Sequence, residues 1–262
     1  LHMAYPTPLE KSNSAARLAR LFAKAMSASP QKSTLDAWAF SFDLTESTQG
    51  LDLTHEVTDM LVETTRELRS MRALLADFGV PENLLSYYVT YPEQAMVATN
   101  LSAPWGTTIS NYMKDEVLLS FAWYAYILPE EASTTTNEEL GALTELLAEL
   151  EDALKAPGLP RFIVDTISKH LAAIRRAIRL CPVQGTKPMK DAARALTTDI
   201  QLDQDEIRSA ADSADKSAMS RVGDGLYKVW KKTAEVAGDA DKLMKTGQQL
   251  IEMATDVIDK LN

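Results

Sequence analysis

The sequence predicts an all-α protein, an irregular bundle of roughly eight helices that ends in a long helix with a heptad pattern. Apolar residues recur three and four positions apart through most of the chain, which is the spacing of one helix face. Only 10 glycines and 11 prolines occur among the 262 residues, and the prolines fall mostly between the apolar segments. Hydrophobic residues make up 45% of the chain and charged residues 24%, a balance that predicts a folded core rather than disorder.

The start of the chain and its cysteine content indicate the compartment. Leu1-His2-Met3 resemble the remnant of an expression tag, and residues 3–8 contain neither the charged region nor the long apolar run of a secretory signal. The single cysteine, Cys181, excludes an internal disulfide framework. Both observations predict a cytoplasmic protein.

Two segments open the predicted bundle. A helix is expected over residues 13–26, with Ser12 or Ser14 as its N-terminal cap. Residues 34–44 place aromatic and apolar side chains at alternate positions, as a strand does. Because no other segment repeats that period, a partner strand is missing, and we expect an extended or helical segment that covers the bundle.

The next helix is predicted over residues 52–78, where apolar residues keep helical spacing until Gly79 and Pro81 end it. Residues 80–106 combine prolines with several aromatic side chains. Their pattern predicts one or two short helices joined by aromatic-rich turns, which form an irregular surface of the bundle.

A further helix is predicted over residues 107–128, and its second half, from Val117 to Leu128, is apolar or aromatic on every side. Such a helix is expected to be buried in the centre of the bundle. Its apolar run is roughly 18 Å long as a helix, whereas a membrane span needs about 20 residues. No transmembrane segment is therefore predicted.

Two helices of opposite charge follow, over residues 137–154 and 161–180, and the prolines at 157–160 predict an antiparallel hairpin. Residues 130–155 contain eight acids and one lysine. Residues 161–194 contain eight Lys or Arg against two Asp, a balance of +6. One interpretation is that the acidic and basic faces neutralise each other within the hairpin.

The other interpretation of the basic block is that it binds a partner. Its candidate contacts with an acidic protein are Lys169, Arg175, Arg176 and Arg179. Nucleic acid is not an expected partner, because the whole chain has a net charge of −10.

The last predicted boundary separates a helical bundle, residues 4–198, from a polar connector and long helix, residues 199–262. In that helix, apolar residues recur at seven-residue spacing. They are Val222, Val229, Val236, Leu243, Leu250 and Val257. Trp230, Met244 and Ile251 widen the stripe, which favours docking on the bundle over a simple coiled coil.

The same stripe offers an alternative, in which it pairs with a second copy or a protein partner. Trp230, Met244 and Ile251 are then the candidate partner contacts. A position on a lipid surface is the least favoured use, because the polar face of the helix mixes Asp with Lys.

Residues suited to catalysis or metal binding are few. His55, His170 and Cys181 do not supply the roughly four ligands of a zinc site, so no metal or cofactor is predicted and no catalytic residue is assigned. The predicted function is a non-enzymatic helical protein that binds or regulates another protein, for example a bacterial immunity protein, an antitoxin or a defence-system accessory protein. The alternative is a helical enzyme or toxin with its active site around Arg161 and His170.

Overall fold

A computed structural model describes residues 11–44, 51–131, 135–212 and 214–238. Within those ranges the chain forms eleven α-helices, one short 3₁₀ helix and no β-strand. The predicted all-α class is confirmed, and the helices outnumber the roughly eight expected from periodicity because several are short.

The chain divides into two compact units. Unit 1 comprises Leu1–Glu131 with Pro182–Gly185, and unit 2 comprises Ala132–Cys181 with Thr186–Asn262. The helices between Asn137 and Leu202 share one core with the helix Lys216–Val236, so a second core begins after residue 131. The sequence-based division into residues 4–198 and 199–262 stays a prediction.

Unit 1 contains six α-helices in its described part. They are α1 (Ser14–Met26), α2 (Thr34–Ser41), α3 (Leu51–Asp77), α4 (Glu82–Ala95), α5 (Trp105–Tyr112) and α6 (Asp115–Ile127), with a 3₁₀ helix at Ala98–Asn100 before α5. The predicted helix over residues 107–128 is therefore two helices, since regular structure is interrupted at Met113 and Lys114.

The core of unit 1 is built around aromatic rings. Phe22 meets Trp38 and Phe121 edge to face, with ring centroids 6.3 and 5.2 Å apart. Trp38 also meets Trp105 edge to face at 5.5 Å. Both indoles are fully buried and keep a hydrogen bond: Trp38 Nε1 donates to the Ala95 carbonyl and Trp105 Nε1 to the Ala25 carbonyl. The apolar core therefore leaves neither of these indole N–H groups unsatisfied.

The starts of the first two helices can be compared with the sequence-based predictions. Asn13, rather than Ser12 or Ser14, caps α1, because its side-chain oxygen accepts from the Ala16 N–H. The segment that alternated like a strand is helix α2, capped by Ser33, which is the helical form of the two that were predicted. Helical packing explains its aromatic residues, since side chains four positions apart share a helix face.

An ion-pair network around the buried Arg17 connects distant segments of unit 1. The guanidinium of Arg17 donates to Glu67 Oε1, to Glu131 Oε2 and to the carbonyl oxygen of Val183. Gly185 stands beside this network at a φ of +65°, and a Cβ there would lie 2.7 Å from Glu131 Oε2. A glycine is required at this position by its backbone conformation and by the space that the ion pair occupies.

Unit 2 contains five α-helices in its described part, the first of them opened by a capping box between Thr136 and Glu139. They are α7 (Asn137–Leu154), α8 (Arg161–Gln184), α9 (Lys187–Leu202), α10 (Gln204–Asp212) and α11 (Lys216–Val236), and the last residues of α8 belong to unit 1. Leucines of α7, isoleucines of α8 and the apolar faces of α9 and α11 form one core.

The final described helix, α11, packs on α7 and α9 within the same chain. Gly225 allows a close approach to α7, since a Cβ there would lie 3.1 Å from Leu150 Cδ1. The helix ends at Val236, and Gly238 takes a φ of +70°. The prediction of a single helix through the whole heptad pattern is therefore wrong, because a glycine in the left-handed conformation ends the helix there. Met244 and Ile251 lie outside the described residues.

Among the helices that the structure describes, none is long and apolar enough to cross a membrane.

Candidate protein-binding surface

The basic residues that the sequence singled out on α8 are partly neutralised within unit 2. Arg175 forms a bidentate ion pair with Glu151 of α7, with Nε donating to Oε1 at 2.8 Å and Nη2 donating to Oε2 at 2.7 Å. Hydrogen bonding from Arg175 holds the pKa of Glu151 below its ordinary value. The Lys169 ammonium donates to Asp199 Oδ2 of α9 at 2.9 Å, and this bond lowers the pKa of Asp199. Part of the basic block is therefore paired with carboxylates of α7 and α9 within unit 2.

The remaining basic candidates on α8, Arg176 and Arg179, are exposed. With Arg175 they occupy consecutive turns of one helix, so the structure brings these three arginines together. It does not bring Trp230 to them. Only 3% of the Trp230 side chain is exposed, and its indole N–H donates to Thr197 Oγ1 at 3.2 Å. Trp230 is a core residue of unit 2.

Arg161 and His170 do not form one site. They lie nine residues apart on α8, which at about 100° per residue places them on opposite sides of the helix. The Arg161 side chain is exposed and paired with Asp165, whereas His170 is buried. Cys181 is also buried. No cluster of His, Cys, Asp and Glu suited to a metal ion occurs in the described ranges.

The imidazole of His170 is buried with an unsatisfied nitrogen. Among the buried side-chain atoms of the described residues, only His170 Nε2 makes no hydrogen bond. Asp199 Oδ2 lies 3.5 Å from that nitrogen. Burial lowers the pKa of His170, and the Asp199 carboxylate acts in the opposite direction. A neutral imidazole packed between α8 and α9 fits this environment better than a charged one.

The largest exposed apolar side chains of unit 1 lie on α6, where the sequence predicted complete burial. Trp123 is 64% exposed and Tyr126 is 65% exposed. Leu119 and Ile127 are 43% and 41% exposed. The prediction of a wholly buried helix is wrong because helices of unit 1 cover only the side of α6 that carries Val117, Phe121 and Ala125.

These four residues, Leu119, Trp123, Tyr126 and Ile127, are called the α6 face. Their spacing of four, three and one places them on one side of the helix, along about 12 Å of its length. Periodicity could not reveal this face, because α6 is apolar on both its covered and its exposed sides and shows little amphipathic contrast.

Helix α4 extends the apolar surface beside α6. The Tyr124 hydroxyl donates to the Leu84 carbonyl at 3.4 Å, and the Lys114 ammonium lies 5.4 Å from the centre of the Tyr91 ring. Residues late in α6 therefore meet residues early in α4, so the two helices run antiparallel. Leu84 and Tyr87 of α4 are themselves exposed.

Charge is concentrated at one end of the α6 face. Asp115 and Glu116 occupy the first turn of α6, a position that the helix dipole favours for carboxylates. A hydrogen bond with Tyr91 raises the pKa of Tyr87, and the negative charge of Glu116 acts in the same direction. At the other end Glu130 is paired with Lys11 at 2.6 Å. Lys114, whose ammonium lies against the Tyr91 ring, offsets one of the two carboxylates at the N-terminal end, so that end keeps a net negative charge and is the more acidic one.

The fold and this surface define the protein as an all-α chain of two helical units, one of which exposes a row of apolar and aromatic side chains. No family model, no curated protein and no solved structure matches the chain.

Proposed function

We propose that this chain is a non-enzymatic helical protein that acts by binding another protein, and that the partner docks on the α6 face of unit 1. The observation that carries the proposal is the exposure of Trp123 and Tyr126 on one side of a helix. Tryptophan and tyrosine are among the residues most enriched at the positions that dominate binding energy in interfaces. Contiguous exposed apolar surface commonly marks such sites.

The contacts that hold α6 in place on the covered side of the helix favour the same function. Phe121 is fully buried directly under it and contacts Phe22 of α1. The Asn13 amide donates to the carbonyls of Ala125 and Leu128 near the end of α6, at 2.8 and 3.1 Å. A face held in this way loses little conformational freedom when a partner binds, and preorganisation of this kind strengthens association.

A narrower form of this proposal is that the chain is a bacterial immunity protein, an antitoxin or a defence-system accessory protein. The net charge of −10 supports it, because an acidic binder attracts cationic targets from a distance. Co-expression with the product of the neighbouring gene tests this form. A growth defect that the chain relieves and the Trp123→Lys variant does not relieve is the expected outcome, and relief by both proteins would contradict it.

Site-specific crosslinking in cells of the source organism tests docking on the α6 face. Benzoylphenylalanine replaces Trp123 in one variant and Glu145, exposed on α7 of unit 2, in the control. After irradiation we expect a discrete adduct with one protein from position 123 and none from position 145. No adduct, or the same adducts from both positions, would refute docking on the α6 face.

A further inference from the structure

We propose that the segment of the partner seated on the α6 face is an amphipathic helix, antiparallel to α6, with Lys or Arg at the end that meets Asp115 and Glu116. This inference rests on the proposed function and adds the chemistry of the partner. It is carried by three observations: the shape of the exposed surface, the position of its charges and the charges that self-pairing would bring together.

The shape of the surface suits a helix. Trp123 and Ile127 on α6 and Leu84 and Tyr87 on α4 are exposed side chains of two antiparallel neighbours. Two adjacent helices of this kind offer ridges between which the ridges of a third helix pack. An amphipathic helix with apolar residues at positions i, i+3, i+4 and i+7 matches a strip of this length, as in other helix-in-groove complexes.

The charges at the two ends of the α6 face indicate the direction of the partner helix and the sign of the charge at its end. Asp115 and Glu116 flank the start of the α6 face and outnumber the one cation there, Lys114, while Glu130 at the other end is paired with Lys11. A basic residue is therefore best placed at the α6 N-terminus. Lys and Arg are favoured in the last turn of a helix by its dipole, so a partner helix with a basic C-terminal turn runs antiparallel to α6.

A second copy of the chain fits less well. In a parallel two-fold pair, Glu116 would face its own counterpart, and in an antiparallel pair centred on Trp123 it would face Glu130. Either arrangement places carboxylates of the two copies near each other, although Lys11 offsets part of the charge at Glu130. The net charge of −10 on each copy adds to the repulsion. An anionic lipid surface meets the same difficulty at Asp115 and Glu116.

The experiment uses the full chain and two synthetic helical peptides. Both peptides carry the same apolar stripe, and their last turns contain either three lysines or three glutamates. Binding is read from acrylamide quenching of tryptophan fluorescence. Trp123 dominates this signal, because the other tryptophans, Trp38, Trp105 and Trp230, are buried. The lysine peptide is expected to protect Trp123 with an affinity about three to ten times higher at low salt, and about 1 M salt should remove the difference.

Two sets of variants assign the preference to the acidic end. The double variant Asp115→Lys with Glu116→Lys is expected to bind the glutamate peptide more tightly than the lysine peptide, the reverse of the parent chain. Asp115→Asn with Glu116→Gln, which keeps the size of the side chains, is expected to abolish the difference, and circular dichroism checks that both variants fold. The matched control carries Glu145→Lys and Glu149→Lys on the exposed side of α7, and its preference should remain that of the parent chain.

The outcomes separate this inference from the proposed function. Equal affinity for the two peptides, or a reversal in the α7 control as well, overturns the basic-ended helix but leaves docking on the α6 face standing. Failure of both peptides to protect Trp123 overturns the helical partner, whereas docking on the α6 face is decided by the crosslink from position 123. Protection of Trp123 by vesicles of anionic lipid, or a dimer in sedimentation that Trp123→Lys dissociates, overturns the helical partner in favour of a membrane or a second copy.

Discussion

Trp123 of α6 and Trp230 of α11 are both large apolar residues of helices, yet one is 64% exposed and the other 3% exposed. Their helices explain the difference. The α11 helix has a marked polar side and an apolar side, so packing on α7 and α9 covers Trp230. The α6 helix is apolar around its circumference, and unit 1 covers only part of it. An amphipathic helix can bury its whole apolar stripe, whereas a helix that is apolar all round exposes what its neighbours leave uncovered.

The sharpest test of this comparison replaces each tryptophan with alanine. Trp230→Ala removes a core side chain and is expected to lower the free energy of unfolding by about 4 kcal/mol. Trp123→Ala is expected to change it by less than about 0.5 kcal/mol, because the residue is exposed. Urea unfolding followed by circular dichroism measures both, and hydrogen exchange should place the loss for Trp230→Ala in unit 2. Similar losses in the two variants would contradict the assignment of core and surface.

A second test removes the ion-pair network of unit 1. Arg17→Met leaves the Glu67 and Glu131 carboxylates without their common cation and is expected to lower the free energy of unfolding by about 3 kcal/mol. This expected loss is near the lower end of the range for breaking a buried ion pair, because the Glu131 side chain is 38% exposed. The surface change Arg161→Met serves as the control, and a stability equal to that of the control would rule out the structural role of Arg17.

A third test weakens the support of the α6 face. Asn13→Ala removes the cap of α1 and two hydrogen bonds to carbonyls at the end of α6. The expected loss is about 1 to 2 kcal/mol. Ser12→Ala is the neighbouring control, and hydrogen exchange of α6 amides measures the local effect. Unchanged exchange in the Asn13 variant would show that α6 is held by its apolar contacts alone.

The smallest expected effect concerns pH and His170 in unit 2. Burial lowers the pKa of this imidazole in the folded chain, so the unfolded chain binds a proton more readily. The stability that the neutral imidazole contributes is therefore present above its ordinary pKa and lost as the pH falls below it. We expect the free energy of unfolding to decrease between about pH 7 and pH 5. His170→Gln should flatten this dependence, and an unchanged dependence in that variant would contradict the prediction.

Periodicity and capping signals were sufficient to predict the all-α fold and most of the helices. They also predicted opposite charges on two neighbouring helices, and Arg175 of α8 pairs with Glu151 of α7. These features depend on residues close in sequence, where spacing alone fixes which side chains share a face. The alternating residues of α2 and the glycine that ends α11 show where this reasoning is weaker, because a short pattern fits more than one structure.

The candidate surface could not be predicted in the same way. Exposure of Trp123 depends on how many neighbours surround α6, and that number follows from contacts between distant parts of unit 1. The sequence also left Trp230 open as a partner contact, as the alternative to docking on the bundle, since an apolar stripe has the same pattern whether its own chain or another protein covers it. In the structure Trp230 lies in the core cluster of unit 2.

The approach of α11 to α7 at Gly225 limits how this sequence can diverge. The added Cβ would meet Leu150 at 3.1 Å, so the spacing of the two helices depends on the combined volume at these two positions. A homologue with a larger residue at position 225 should compensate with a smaller one at position 150. The two positions are therefore expected to covary among related chains, as residues in spatial contact do.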